Sequence, residues 1–373
     1  MQLEIGRETE ASEIARARIV AADGLRVGVV GATGIVGREI IRVLGQRRFP
    51  LAGLRLFATA RSAGRRLVVG DTEVEIEETS AEGLCQQDLV LFAGGDDASR
   101  HFAWTVAEAG GVVVDNSSTW RMDPRVPLVI PEVNAHTLRT HRGVVANPNC
   151  TATVLVLALH PLHRAAGVRR AVVATYQSAS GGGADTVRAL LEQTRALLDD
   201  PEALAAGDLE RIESLAGTRN PLAFNVTPQW KWGRDGYTEE ELKIVAETHK
   251  IMEADFPILP TTVRVPVLVG HLVAVHVDLE RPLPPEEARR ILAASPGVVV
   301  VDAPQEERFP TPLATAGEDT ISVGRIRPDP FNPSGLLLVA AGDNLRKGAA
   351  LNAVQIAETL LEQRLLRRGA AAS

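Results

Sequence analysis

The first compact run of apolar side chains, residues 27–30, ends in Gly31-Ala32-Thr33-Gly34-Ile35-Val36-Gly37, after which Ile40, Ile41 and Leu44 recur at helical spacing. That order predicts a strand, a glycine turn and a helix. Short continuous apolar runs at 54–58, 89–93 and 112–114 predict further buried strands, with a helix over 102–109 between the last two. Strands alternating with helices or loops are the pattern of a parallel α/β sheet. Charges of both signs fill residues 1–24, which read as an N-terminal extension, and the first unit is expected over 25–150.

Beyond Asn147-Pro148-Asn149-Cys150 the pattern changes. Residues 153–162 predict a buried helix and 171–177 a strand, followed by a helix at 185–198 and a connection rich in Asp, Glu and Gly to about residue 220. A charged helix at 239–252 and strands near 262–267, 272–279, 298–302, 320–325 and 335–340 complete a mixed, α+β arrangement over 151–343. A closing helix at 344–366, with Leu345, Ala349, Val354, Ile356 and Leu360 available for burial, is expected to return to the first unit.

Composition narrows the function classes. The 373 residues are 45% hydrophobic and 23% charged, which suits two packed domains and excludes a disordered polymer. A net charge of -7 with scattered basic residues argues against nucleic acid, whose binding needs a concentrated basic surface. The run Arg364–Arg368 reads as a solvated helix end. No stretch of about 18 uncharged apolar residues and no signal-peptide core occurs, so neither a membrane span nor secretion is expected, and the cytoplasm is. The two cysteines, Cys85 and Cys150, lack the spacing of a disulfide framework or a zinc site, and no metal is expected.

Chemistry enters at four places. A glycine turn between strand and helix lets backbone amides and the helix N-terminus approach a pyrophosphate. After the second strand, where a carboxylate would hold the ribose hydroxyls of NAD, the chain has Thr59-Ala60-Arg61-Ser62, which favours the 2′-phosphate of NADP, although Arg61 also reads as a solvated turn residue. Cys150 sits where Asn-Pro-Asn turns into a helix, so unpaired amides there stabilise a thiolate and serve as oxyanion donors; Cys85 reads as a structural thiol. Arg264, set among Val and Pro residues, has either an anion to meet or a buried ion partner, and His271 is a candidate base for Cys150 or a satisfied strand-end residue.

Taken together, GATGIVG (31–37), ARSAG (60–64), DNSSTWRMDPRVPLVIPEVN (115–134), ANPNC (146–150), TYQSASG (175–181), GYTEEELK (236–243), VRVPV (263–267) and DNLRKGAALNAVQ (343–355) resemble the aspartate-β-semialdehyde dehydrogenase family. The resemblance runs from about residue 25 to 361. It implies a Rossmann-like NADP-binding domain, a catalytic and dimerisation domain, and a homodimer or dimer of dimers. The implied reaction is NADPH-dependent reductive dephosphorylation of aspartyl-4-phosphate to aspartate semialdehyde, leading to lysine, threonine and methionine. Carried over residue by residue, Cys150 is the nucleophile, His271 the acid/base and Gln177 the residue positioning the acyl group. Arg264 matches the clamp for the substrate carboxylate, Glu240 the partner of its amino group, and Arg121, Lys243 and Asn116 the phosphate site. Gly31, Thr33, Gly34, Ile35, Val36, Gly37, Thr59, Arg61, Ser62, Ser180, Gly181 and Asn344 match the cofactor site.

Three departures stand out, one of them Leu351 where a threonine is frequent before Asn-Ala-Val-Gln, which reads as a packing change. Members of the family often read a polar string after the histidine, whereas this chain has Leu272-Val273, so the usual hydrogen-bond partner beside His271 is missing or replaced. The glycine loop 92–97 ends in Asp96-Asp97, two carboxylates near the expected cofactor. N-acetyl-γ-glutamyl-phosphate reductase, which typically shows NPGCYPT at its nucleophile, is the enzymatic rival, and a non-catalytic binding module on the same fold is the other.

Overall fold

The computed structural model describes residues 24–229 and 231–366. The extension expected over 1–24 therefore lies outside the described residues but for Gly24, as do Arg367 and Arg368 of the basic run. The chain divides into two compact units, one holding described residues 24–131, 135–147 and 350–366, the other 132–134 and 148–349.

The first unit carries strands β1 (Leu25–Val30), β2 (Leu51–Ala58), β3 (Arg66–Val69), β4 (Thr72–Glu78), β5 (Leu89–Phe92), β6 (Val112–Asp115) and β7 (Val144–Ala146), in the order β3-β4-β2-β1-β5-β6-β7. Every pairing is parallel except that of β3 with β4. Strands β5, β6 and β7 are buried at each residue, which is why they read as unbroken apolar runs: a parallel sheet covered on both faces has no solvent side. Ile40 and Leu44 of helix Ile35–Gln46 and Val354, Ile356 and Leu360 of helix Leu351–Glu362 join one core with the strands. Each such side chain contributes roughly 1.5–3 kcal/mol by leaving water.

The second unit carries β8 (Val168–Gln177), β9 (Thr227–Pro228), β10 (Ile258–Arg264), β11 (His271–Leu279), β12 (Val298–Val300), β13 (Ile321–Asp329) and β14 (Asn332–Gly342), ordered β12-β13-β14-β11-β8-β10-β9. Parallel and antiparallel pairings mix, as expected from the uneven element pattern. Helix Cys150–Ala166, buried at every residue from 151 to 159, packs on this sheet.

Three expectations are corrected, and two elements come in addition. The unit boundary falls at 147/148 rather than 150/151, because Cys150 opens a helix of the second unit. The connection before residue 220 contains helices Pro201–Ala206 and Leu209–Ala216: Asp200 and Asp208 cap their N-termini, and Gly207 and Gly217 end them in the left-handed conformation. Helix Pro285–Ala293, started by its proline and two glutamates, was not anticipated, nor was the β3–β4 ribbon. The closing helix begins only at Leu351, after a π-helical turn at Arg346–Ala350, and residues 344–349 belong to the second unit. Among the described residues no helix is long and apolar enough to cross a membrane.

Candidate active site

In the second unit, Cys150 begins its helix directly after Asn149, and Asn149 is committed in every direction. Its Oδ1 accepts from the amides of Thr151 (2.8 Å) and Ala152 (3.1 Å), its Nδ2 donates to Glu240 Oε1 (3.0 Å), and its backbone N–H donates to Glu247 Oε2 at 2.6 Å. This corrects the expectation of unpaired amides: those of Thr151 and Ala152 are occupied by the cap and are not oxyanion donors. The helix N-terminus still favours negative charge at the sulfur.

Cys150 Sγ lies 3.1 Å from His271 Nε2, across 121 residues of sequence. His271 is the first residue of β11 and is fully buried. Burial first, then the neighbouring Arg264 charge, push its pKa down to about 3, against a smaller opposite pull from the Gly270 backbone, so the ring is neutral near pH 7. Its Nδ1 meets Ser178 through both the backbone N–H and Oγ, each at 3.1 Å. The partner missing after the histidine in sequence is thus supplied from the end of β8.

Gln177, the last residue of β8, donates to Glu240 Oε1 (3.1 Å) and accepts from Gln229 Nε2 (3.1 Å). Arg264 pairs with Gln177 in the parallel register of β10 and β8, and its Nη1 donates to the Ser178 carbonyl at 2.5 Å. Lys243 sits on the same helix as Glu240, its ammonium 4.0 Å from Glu239. Gly181 leaves room over the pair: a Cβ there would stand 3.1 Å from the His271 ring and 3.2 Å from Arg264 Nη1. Ser180 and Asn344, assigned to the cofactor by resemblance, are buried and bonded to each other, Nδ2 to Oγ at 2.9 Å.

In the first unit, Gly31 has φ +77, and a Cβ on it would come within 2.7 Å of the Ala93 backbone; on Gly37 it would stand 2.2 Å from the Gly31 carbonyl. Gly34 caps helix Ile35–Gln46 with no side-chain bond, and a Cβ on Gly34 would meet only the Gly31 carbonyl, at 3.3 Å. The turn from Gly31 through Ala32, Thr33, Gly34, Ile35 and Val36 to Gly37 is therefore held tight from within and open to an anion at the helix start, which fits a dinucleotide pyrophosphate.

Thr59 and Arg61 are exposed after β2, and Ser62 is folded in, its N–H on the Thr59 carbonyl. Asp96 does not stand bare beside this turn, because its carboxylate accepts from Ser118 N–H and Oγ; Asp97 is fully exposed and pairs with Arg100. Arg121 is buried, with Nε on the Asn147 carbonyl (3.0 Å) and Nη2 on the Asn116 carbonyl (2.8 Å). Asn116 turns its own amide to the Phe92 carbonyl and to Asn147. Cys85 rests on the Thr105 carbonyl, burial raising its pKa.

Sequence reasoning did not single out Asn149, Glu247 or Ser178. The asparagine before a helix start is a readable cap signal. The other two act through tertiary contacts that leave none.

Known proteins resemble this chain over most of its length. The family model described as "Semialdehyde dehydrogenase, NAD binding domain" matches residues 26–141, and "Semialdehyde dehydrogenase, dimerisation domain" matches 159–347. Aspartate-semialdehyde dehydrogenase of Synechocystis is 44% identical over 341 residues, 91% of this chain and 98% of the relative; that of Aquifex aeolicus is 42% identical over 351, covering 92% and 100%. The crystal structure of aspartate semialdehyde dehydrogenase II of Vibrio cholerae complexed with ASA aligns with a TM-score of 0.83 at 37% identity, covering 91% of this chain and 99% of that one. With a nicotinamide-dinucleotide turn in one unit and a cysteine–histidine pair in the other, the chain belongs to the aspartate-semialdehyde dehydrogenase family.

Proposed function

We propose that this protein is an NADP-dependent aspartate-semialdehyde dehydrogenase, reducing L-aspartyl-4-phosphate to L-aspartate-4-semialdehyde on the way to lysine, threonine and methionine. The observation that carries the reading is the 3.1 Å contact of Cys150 Sγ with His271 Nε2 at a helix start, in a chain whose relatives bear that name. Cys150 attacks the acyl carbon, the bond to the phosphate oxygen breaks, and a thioester remains on the sulfur. The nicotinamide, when bound, supplies the hydride that reduces it. His271 exchanges a proton at Nε2 with the resulting thiohemiacetal oxygen as the carbon–sulfur bond opens.

Arg264, with no carboxylate partner among the described residues, takes the substrate α-carboxylate; Glu240 takes the amino group, and Gln177, bonded to Glu240, orients the acyl carbon. Lys243 is assigned to the phosphate, as are Arg121 and Asn116. Gly31–Gly37 and the Thr59–Ser62 turn are assigned to the cofactor, with exposed Arg61 toward the 2′-phosphate. Ser180, Gly181 and Asn344 are kept as its further contacts. A homodimer is supported by the dimerisation-domain match and by apolar Val172, Tyr176 and Leu259, exposed on the sheet of the second unit; a dimer of dimers is the arrangement sedimentation would read. Two free cysteines support a reducing, cytoplasmic setting.

Phosphate-dependent reduction of NADP with aspartate semialdehyde, run beside N-acetylglutamate semialdehyde, tests the reading. Faster turnover of the acetylated substrate would overturn it.

A further inference from the structure

Glu247, on helix Glu239–Met252, is buried and belongs to none of the residues assigned to the reaction. Burying a carboxylate is costly unless hydrogen bonds replace the water it loses. Here one such bond comes from the backbone N–H of Asn149, at 2.6 Å, one residue before Cys150.

Asn149 is the cap of helix Cys150–Ala166. In a complete capping box the cap side chain takes amides of the first turn, and a Glu or Gln three residues on reaches back to take the cap's own N–H. Helix Glu239–Met252 is built in that way: Thr238 Oγ1 accepts from the Glu241 amide at 3.3 Å, and Glu241 Oε2 accepts from the Thr238 amide at 2.8 Å. Three residues on from Asn149 stands Ala152, whose methyl group cannot accept. Glu247 supplies that half of the box from the neighbouring helix. We propose that Glu247 is a positioning residue for the reaction: by closing the cap of the Cys150 helix from outside, it fixes the nucleophile relative to Glu240 and Lys243.

Positions 240, 243 and 247 share one side of their helix. Asn149 is tied to that side twice, through Nδ2 to Glu240 Oε1 at 3.0 Å and through its backbone N–H to Glu247, two turns or about 10 Å apart along the axis. A single tie would let the turn pivot; two do not. Glu240 cannot hold the turn alone, because its Oε1 also takes Gln177 Nε2 and, in the reading above, the carboxylate meets the substrate amino group. Glu247 is the tie on which substrate does not draw. Ile244, Ile251 and Met252, buried on the same helix, hold the helix itself in place, so the contribution of the carboxylate is to the turn. The kinetic part of this proposal rests on the dehydrogenase reading above; the placement of the sulfur does not.

Two substitutions separate placement from charge. Glu247→Gln keeps the reach and an acceptor oxygen without a carboxylate. Glu247→Asp keeps the carboxylate and draws it back by one carbon–carbon bond, about 1.5 Å. Turnover of aspartate semialdehyde should fall about 10- to 100-fold in Glu247→Asp, as a misplacement of that order does at a reacting group, and stay within about fivefold of the parent in Glu247→Gln. The Michaelis constant for aspartate semialdehyde should stay within about threefold in both, because Arg264 and Glu240 are unchanged. Iodoacetamide alkylation, followed on the Cys150 peptide, needs no substrate and should track turnover: slower by about threefold or more in Glu247→Asp, and within about twofold of the parent in Glu247→Gln.

Equal losses in the two variants would make charge or packing the cause and overturn the proposal. So would full turnover in Glu247→Asp, or a turnover loss there with alkylation unchanged. If Glu247→Asp fails to fold, the Asn149 amide proton in nitrogen-15-labelled parent and Glu247→Gln decides. A bond of 2.6 Å puts that resonance downfield, and the weaker amide acceptor should draw it back. An unmoved resonance would mean that Glu247 does not hold the cap. If the parent fails to turn over aspartate semialdehyde, the substrate reading falls and the alkylation rates still decide the placement.

Discussion

Moving the protein from about pH 7.5 to about pH 5 should destabilise it measurably through one side chain. His271 titrates near 6.5 in an unfolded chain and near 3 in the folded one. In that window the unfolded state binds a proton that the native state does not, so stability rises with pH from about 3 to 6.5, is fully present above 6.5, and is lost as pH falls. At pH 5 the unfolded form gains RT ln(1 + 10^1.5), about 2 kcal/mol, and this hardly changes for any native value below about 4. His160, also lowered by burial and by the charges of Arg164 and His163, adds in the same direction. The His271→Gln variant isolates the first contribution, since every other group is common to both proteins. Urea unfolding at the two pH values should give a loss of stability about 2 kcal/mol smaller in the variant than in the parent. Equal losses in the two would refute the reasoning, because they would mean that the buried ring is protonated as readily in the fold as in water.

Cys150→Ala should abolish turnover and leave NADP affinity within about twofold, as measured by fluorescence titration, because the proposed nucleophile forms no part of the Gly31–Gly37 turn. Arg61→Ala should erase most of an NADP preference of roughly 1–3 kcal/mol, read as the ratio of kcat/KM for the two cofactors; an unchanged ratio would place the discrimination elsewhere. Lys347 is fully buried with its ammonium 2.7 Å from both oxygens of Glu132, so Lys347→Met should cost about 3–5 kcal/mol in urea unfolding by removing the cation that faces this carboxylate. Replacing both partners with apolar residues should recover much of that loss, and failure to do so would mean the pair is not the source.

What could be read from sequence and what could not divide along the range of the interactions. The turn 31–37 was legible because its glycines answer backbone demands, a left-handed φ at Gly31 and a close approach at Gly37, that only glycine meets without strain. Strands buried on both faces were legible as apolar runs, whereas β3 and β4, which bury only one face and carry the Arg66–Glu73 ion pair on the other, have no such run. The Asp-Gly spacing at 200–217 was visible but read as a connection, although Asp before and Gly after a short segment are also the start and stop of a helix. Cys150 was marked by its turn. The ring that faces it is brought there by the antiparallel pairing of β11 with β8, and no local pattern records that Ser178 then lies beside it.

Arg264 shows how the same frame becomes a binding device. From sequence it had two explanations, an ion pair or an anion to meet. In the fold its Nη1 rests on the Ser178 carbonyl, and among the described residues no carboxylate lies within ion-pair distance. Burial works against its charge, lowering its pKa, with Cys150 and Glu240 pulling the other way. A guanidinium withdrawn from water with no carboxylate among the described residues at ion-pair distance is a standing penalty on the order of several kcal/mol, and here it is fixed on a strand paired residue for residue with the one that ends in Gln177. In the role proposed for Arg264, an incoming carboxylate would relieve that penalty, and the favourable free energy at one end of the substrate would set the position of the other. On that proposal the acyl carbon would arrive at Cys150 already oriented, which is where holding a reactant in place accelerates the reaction rather than merely tightening binding.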